Sequence, residues 1–145
     1  MSLDGTYDPG NIFAKIIRGD MPAARVFEDE SVLAFMDVFP QARGHTLVIP
    51  KKSIARNILE VEPEVLGELM VGVQRVTRAV RAALKPDGII VTQFNGQAAG
   101  QTVYHLHVHI IPRWEGAALG RHGGAGPADA VELRALAAQI AAEIA

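Results

Sequence analysis

The sequence contains no cysteine. That excludes a disulfide scaffold, a thiolate zinc site and a cysteine nucleophile, and it fits a reducing compartment. Long apolar runs are also missing: none approaches the ~20 residues needed to cross a bilayer. Residues Met1 to Asn11 are polar and lack the basic start and apolar stretch of a signal peptide. The expectation from these absences is a cytoplasmic protein with no membrane partner. An excess of one charge is lacking too. Fourteen Lys and Arg face 16 Asp and Glu, a formal net charge of −2. No bulk positive field exists to hold a polyanion, so generic nucleic-acid binding is not expected.

What is present is an ordinary globular composition. The 145 residues are 49% hydrophobic and 21% charged, close to the usual size and make-up of one domain. A chain of this length buries roughly 68–70% of the surface its unfolded form exposes, so it needs no covalent staple.

Residues 1–10 read as a flexible N-terminal arm, and 11–114 as the body of the domain. Residues 115–145 read as a loop and a C-terminal helix appended to it. Ile12 to Ile17 has helical spacing. Ala24 to Asp29 and Ser31 to Asp37 read as strands around an acidic turn, and His45 to Pro50 as a strand closed by proline. Pro63 suits the first turn of a long helix, because its missing N–H has no partner there. Val65, Leu66, Leu69, Met70, Val73, Val76, Val80 and Leu84 give that helix one apolar face, and Pro86-Asp87-Gly88 ends it. Ile89 to Phe94 and Val103 to Ile111 are strand candidates, the second stopped by Pro112. Asp129 is placed to cap a final helix with Glu132 in the capping-box position, and Leu133, Leu136, Ile140 and Ile144 form its stripe. His122 sits among glycines and is expected to be solvated. The fold class is α+β with a largely antiparallel sheet, a long helix and a C-terminal helix.

The chemistry concentrates in His105-Leu106-His107-Val108-His109-Ile110-Ile111. Alternate side chains of a strand share a face, so the three imidazoles align opposite Leu106, Val108 and Ile110. A lone histidine is ordinarily a satisfied polar side chain, but three at strand spacing serve no packing need. Two readings follow: a metal site, or nucleophilic catalysis by one imidazole oriented by its neighbours. The preceding loop favours the second. Gly96 and Gly100 let backbone approach a ligand, and Asn95, Gln101 and Thr102 offer neutral hydrogen bonds, which suits a phosphate. Residues 88–114 contain no carboxylate to support a metal.

These seven residues match the His-φ-His-φ-His-φ-φ signature, φ being apolar, and the chain resembles the histidine triad family. Ile12 to Ala23, Ala34 to Ala42, Gly44 to Lys52 and Gly100 to Tyr104 extend the resemblance over residues 11–114. It implies a HIT-like fold, assembled as a homodimer through the Ile89 to Phe94 strand and the long helix. It implies an enzyme that cleaves the α-phosphate bond of purine nucleoside phosphoramidates or related adenylates, through a nucleotidyl-histidine intermediate. By motif position His107 is the nucleophile. His105 and His45 are expected to orient it, and His109 to contact the phosphate or leaving group. Asn95, Gly100, Gln101 and Thr102 map onto phosphate and leaving-group contacts. Asp37 maps onto the ribose-binding carboxylate, with Ile12, Phe13, Ile16, Phe35, Met36 and Val38 walling the base. Some relatives hold structural zinc, but Asn11 and Ala14 stand at their cysteine positions and Ser53 at their histidine position. No metal and no cofactor are therefore expected, and the partner is a small AMP-type purine nucleotide. The alternatives are a dinucleoside-polyphosphate hydrolase, a nucleotide-binding or scaffold protein with incidental turnover, and a triad-histidine metalloprotein.

Overall fold

The computed structural model describes residues 2–120 and 126–145. His122, expected to be solvated, lies outside the described residues. Five strands form one antiparallel sheet: β1 (Arg25–Glu28), β2 (Val32–Met36), β3 (Thr46–Pro50), β4 (Gly88–Thr92) and β5 (Val108–Arg113), in the order β1-β2-β3-β5-β4. The helices are α1 (Ile12–Arg18), α2 (Pro63–Leu84) and α3 (Ala130–Ala141). No helix among the described residues is long and apolar enough to cross a membrane.

Period-two alternation divides the apolar side chains between the two sheet faces. Val32, Ala34, Met36, Val48, Val108 and Ile110 join the core beneath α2 and α3, to which the helices give Leu69, Val73, Val76, Val80, Leu84, Leu133, Leu136 and Ile140. Leu33, Phe35, Leu47 and Ile49 face the other way and pack with Phe13 and Ile16 of α1. The sheet is thus covered on both faces, and the second, thinner layer leaves room for a cleft. Met70 departs from the expected stripe. It is exposed, together with Val71 and Val91.

Local signals set the helix ends. The Asn11 side chain accepts the Ala14 N–H at 3.0 Å, Pro63 sits at the first turn of α2, and the Asp129 carboxylate accepts from Val131 N–H. The helix starts at 63 and 130 follow the sequence closely.

The strand after the glycine loop differs. Residues 103–107 are irregular, and β5 begins only at Val108. Other partners take the backbone groups a regular strand would use: Leu106 N–H donates to the distant Ala55 carbonyl at 2.9 Å, and the Val103 carbonyl accepts from the nearby Gln101 side chain at 3.0 Å. Nor does Pro112 stop the strand. Arg113 directs its carbonyl toward the start of β4, where it accepts from the N–H of Asp87, the residue before that strand. Neighbouring Pro112 therefore turns its missing N–H toward β3, beyond the final Thr46–Ile110 pair of that ladder.

Residues 2–10, expected to be a flexible arm, lie along the body. Ser2 Oγ accepts from Gln97 N–H at 2.8 Å, Asn57 donates to the Leu3 carbonyl at 3.0 Å, and Tyr7 reaches His105. At the other end, Gly120 and Gln41 exchange two hydrogen bonds, and Ala128 N–H donates to the Val38 carbonyl at 2.9 Å.

Candidate active site

Alternation holds across the histidine segment even where the strand does not. Leu106, Val108 and Ile110 enter the helix-side core, while the histidines face the α1 layer. They do not form one row, because His105 and His107 precede β5. The rings of His107 and His109 stand 5.0 Å apart between centroids. The Phe13 ring stands near-perpendicular to both His107 and His105, with centroids 4.8 Å and 6.4 Å away. His109 is held mid-sheet, paired with Leu47 on β3 and Thr92 on β4.

Hydrogen-bond partners that can only donate or only accept fix the proton positions. His107 Nδ1 lies 2.7 Å from the His105 carbonyl oxygen, so that nitrogen carries a proton. The neutral ring then keeps its lone pair on Nε2. His45 follows the opposite rule. Its Nδ1 accepts from Gln41 N–H at 3.0 Å, so its Nε2 holds the proton and donates to His109 Nδ1 at 2.9 Å. His109 accepts at Nδ1 and therefore carries its own proton on Nε2. Asp37 Oδ2 lies 3.4 Å from His45 Nε2, while Asp37 Oδ1 accepts from Phe39 N–H at 2.8 Å.

The loop before β3 delivers His45. Asp37 N–H donates to the His45 carbonyl, and His45 N–H to the Ala42 carbonyl. Gly44 has φ 89°, and a Cβ there would lie 2.3 Å from Leu84 Cδ1. Only glycine allows this backbone to approach α2 so closely with that dihedral.

A cleft of about 530 Å³ opens beside His107 and His109. All the residues expected to hold ribose and base line it: Ile12, Phe13, Ile16, Phe35, Met36, Asp37 and Val38. Thr102 is there as well. Met21, Pro22, Ala23, Phe39, Leu47 and Val103 complete the wall, and sequence reasoning missed them. Pro22 and Phe39 entered the sequence reading only within the segments that carry the resemblance.

Other expected residues sit elsewhere. His45 is fully buried, and its Nε2 bonds His109 Nδ1. The His105 ring turns away from His107; it meets Tyr7 and the Pro50 carbonyl, and only its backbone oxygen reaches the next histidine. Burial holds its imidazole below the ordinary value, and the Pro50 carbonyl opposes that in part. Gln101 is 2% exposed, and its amide is consumed by the fold: it donates to the Arg56 and Val103 carbonyls and accepts from Gly96 N–H. Asn95 Oδ1 accepts from Ile58 N–H and from Gln93. Asn95, Gly100 and Gln101 are not among the residues that line the cleft, and the amides of Asn95 and Gln101 bond within the fold. The reason is physical. A glycine-rich turn leaves backbone groups unpaired, and its own amide side chains are the nearest partners.

Asp37, His45 and His109 bring ligand-type atoms within 4.8 Å of one another. A metal there would have to displace the proton that His45 donates to His109. At the positions where relatives hold zinc, the Asn11 side chain caps α1, Ala14 offers a methyl, and Ser53 Oγ accepts from Ala55 N–H. None of these supplies a thiolate or an imidazole, so the residues do not fit structural zinc.

A family model described as the HIT domain matches residues 18–116, from the last residue of α1 to three residues beyond β5. The chain belongs to the HIT family. Protein hit of Bacillus subtilis is 48% identical over 103 residues, covering 71% of this chain and 70% of that one. The adenosine 5'-monophosphoramidase hnt1 of Schizosaccharomyces pombe is 37% identical over 134 residues, 92% of this chain and 97% of that one. Among solved structures, a Hit-like protein from Bartonella henselae superposes with TM-score 0.88 at 49% identity, covering 96% of this chain and 100% of its own.

Proposed function

We propose that this HIT protein hydrolyses purine nucleoside phosphoramidates or related adenylates at the α-phosphate, with His107 as nucleophile. One observation carries the reading. The His105 carbonyl takes the Nδ1 proton of His107 at 2.7 Å and leaves an unprotonated Nε2 on a ring that lines the cleft. A ligand-facing imidazole with its other nitrogen pinned is an oriented nucleophile. The phosphoramidase name of the fission-yeast relative supports the substrate class.

In the first step His107 Nε2 attacks phosphorus and the bond to the leaving group breaks. The resulting imidazolium keeps its Nδ1–H on the His105 carbonyl, which stabilises the positive charge. The leaving amine takes the proton of His109 Nε2. In the second step water attacks phosphorus and gives its proton to His109 Nε2, the phosphorus–nitrogen bond breaks to restore the His107 lone pair, and AMP departs. The apolar walls sandwich the base, and Asp37 accepts from the ribose hydroxyls.

The assembly proposed is a two-fold dimer across β4 and α2. β4 ends the sheet, so one side of it carries unpaired backbone groups. Val91 is 44% exposed, Met70 43% and Ile58 41%, and the three line one depression with Thr92 of that strand.

The test is a steady-state comparison of adenosine 5'-phosphoramidate with a diadenosine polyphosphate on one preparation. The phosphoramidate should have the higher kcat/KM. Preference for the dinucleotide would replace the substrate class, and no AMP from either would overturn the enzymatic reading.

A further inference from the structure

We propose that Tyr7 is a positioning residue for the nucleophile and acts through His105. The inference rests on the catalytic role given to His107 above, but it draws on a segment outside the matched HIT domain. Tyr7 Oη lies 2.7 Å from His105 Nδ1. The other ring nitrogen, Nε2, lies 2.9 Å from the Pro50 carbonyl, which can only accept. Nε2 therefore holds the proton, Nδ1 is an acceptor, and the tyrosine hydroxyl is the donor. The lowered basicity of the buried ring agrees with this neutral tautomer.

His105 is thus clamped from both sides, by the N-terminal arm and by the end of β3. Its backbone oxygen is the group that pins His107 Nδ1. The Phe13 ring, edge-on to both imidazoles, transmits any tilt of His105 to the nucleophile from a second side. The arm itself is anchored on either side of Tyr7. Leu3 accepts from the buried Asn57, and the Pro9 carbonyl accepts from Arg18 at 2.8 Å. A tyrosine so tethered holds its hydroxyl in one place and need not order it during turnover.

Without Tyr7 the buried Nδ1 loses its donor, and the ring can rotate away from Pro50 or change tautomer. Either change moves the carbonyl that orients His107. Substrate binding is left intact, because Tyr7 does not line the cleft.

The experiment is Tyr7→Phe, which removes one oxygen and keeps the ring. Loss of one neutral hydrogen bond should lower kcat by roughly five- to tenfold, with KM and AMP affinity unchanged. Nitrogen-15 NMR of the histidine rings supplies a readout independent of turnover. The His105 Nδ1 resonance should move downfield, toward that of an imidazole nitrogen accepting no hydrogen bond, and the His107 nitrogen shifts should move with it. If kcat and the His107 shifts stay unchanged, the arm is only packing and the proposal fails. If the unaltered protein turns over no nucleotide, the proposed function fails, yet the coupled His105 and His107 shifts still decide whether Tyr7 positions that ring.

Discussion

His45 Nε2 stands 2.9 Å from His109 Nδ1, across 64 positions of sequence. The proton on His45 decides which nitrogen of His109 carries hydrogen, and therefore that His109 presents a donor at Nε2. In the proposed reaction, a donor beside the His107 ring would protonate the departing group.

From that arrangement, His109→Asn should depend on the leaving group. Amines need a proton to depart, so turnover of a phosphoramidate should fall by roughly 10²–10⁴, the usual contribution of general acid catalysis. An adenylate with an acidic phenol as leaving group should lose far less. Equal losses on both substrates would remove His109 from the acid role.

His107→Asn removes the attacking nitrogen and keeps a similar volume. Turnover should fall by orders of magnitude, because the covalent route is lost rather than weakened. AMP affinity by calorimetry should change little, since Asp37 and the apolar walls remain. Near-normal turnover with an inactive His105→Asn would reverse the assignment of roles.

Much of this site was legible in residues 105–111, and the reason is periodicity. Leu106, Val108 and Ile110 had to enter one core, which sent the histidines to the other face whatever the local hydrogen bonding. Asp37 and the apolar residues near 12–16 and 35–38 were placed through resemblance. The course of residues 103–107 was not legible, because Ala55, distant in sequence, supplies the partner for Leu106 N–H. The partners of the Gln101 amide were not legible either, because the Arg56 carbonyl lies 45 positions away in sequence. His45 was recognised as belonging to the site, but its contact with His109 depends on how the 37–45 loop meets β5.

Stability should fall on acidification through His105. Burial holds the folded ring below the ordinary value of 6.5. As pH drops through that value the unfolded ring takes up a proton and the folded ring does not, so the unfolded chain binds more protons and gains ground. The loss continues until the folded ring's own depressed pKa is reached, at no more than ~1.4 kcal/mol per pH unit. Urea midpoints between pH 7.5 and 5 should fall, and His105→Gln should flatten that slope. An identical slope in the variant would assign the acid sensitivity to other groups.

The proposed dimer has a direct check in light scattering at micromolar concentration. The unaltered protein should show twice the monomer mass. Val91→Lys, which puts a charge on the apolar edge strand, should shift it toward monomer. A monomeric unaltered protein would overturn the assembly.

The bonds that Gly120 and Ala128 make to Gln41 and Val38 have an evolutionary consequence. Both lie beyond the matched segment, yet they tie down the 38–41 loop beside the cleft, and Gln41 in turn donates its N–H to His45 Nδ1 in the histidine relay. Tyr7 approaches the same machinery from the opposite terminus. Two relatives with identical triads are therefore not obliged to share a substrate: exchanging only their ends would redraw the pocket's border and retune its chemistry while the central strand stays untouched.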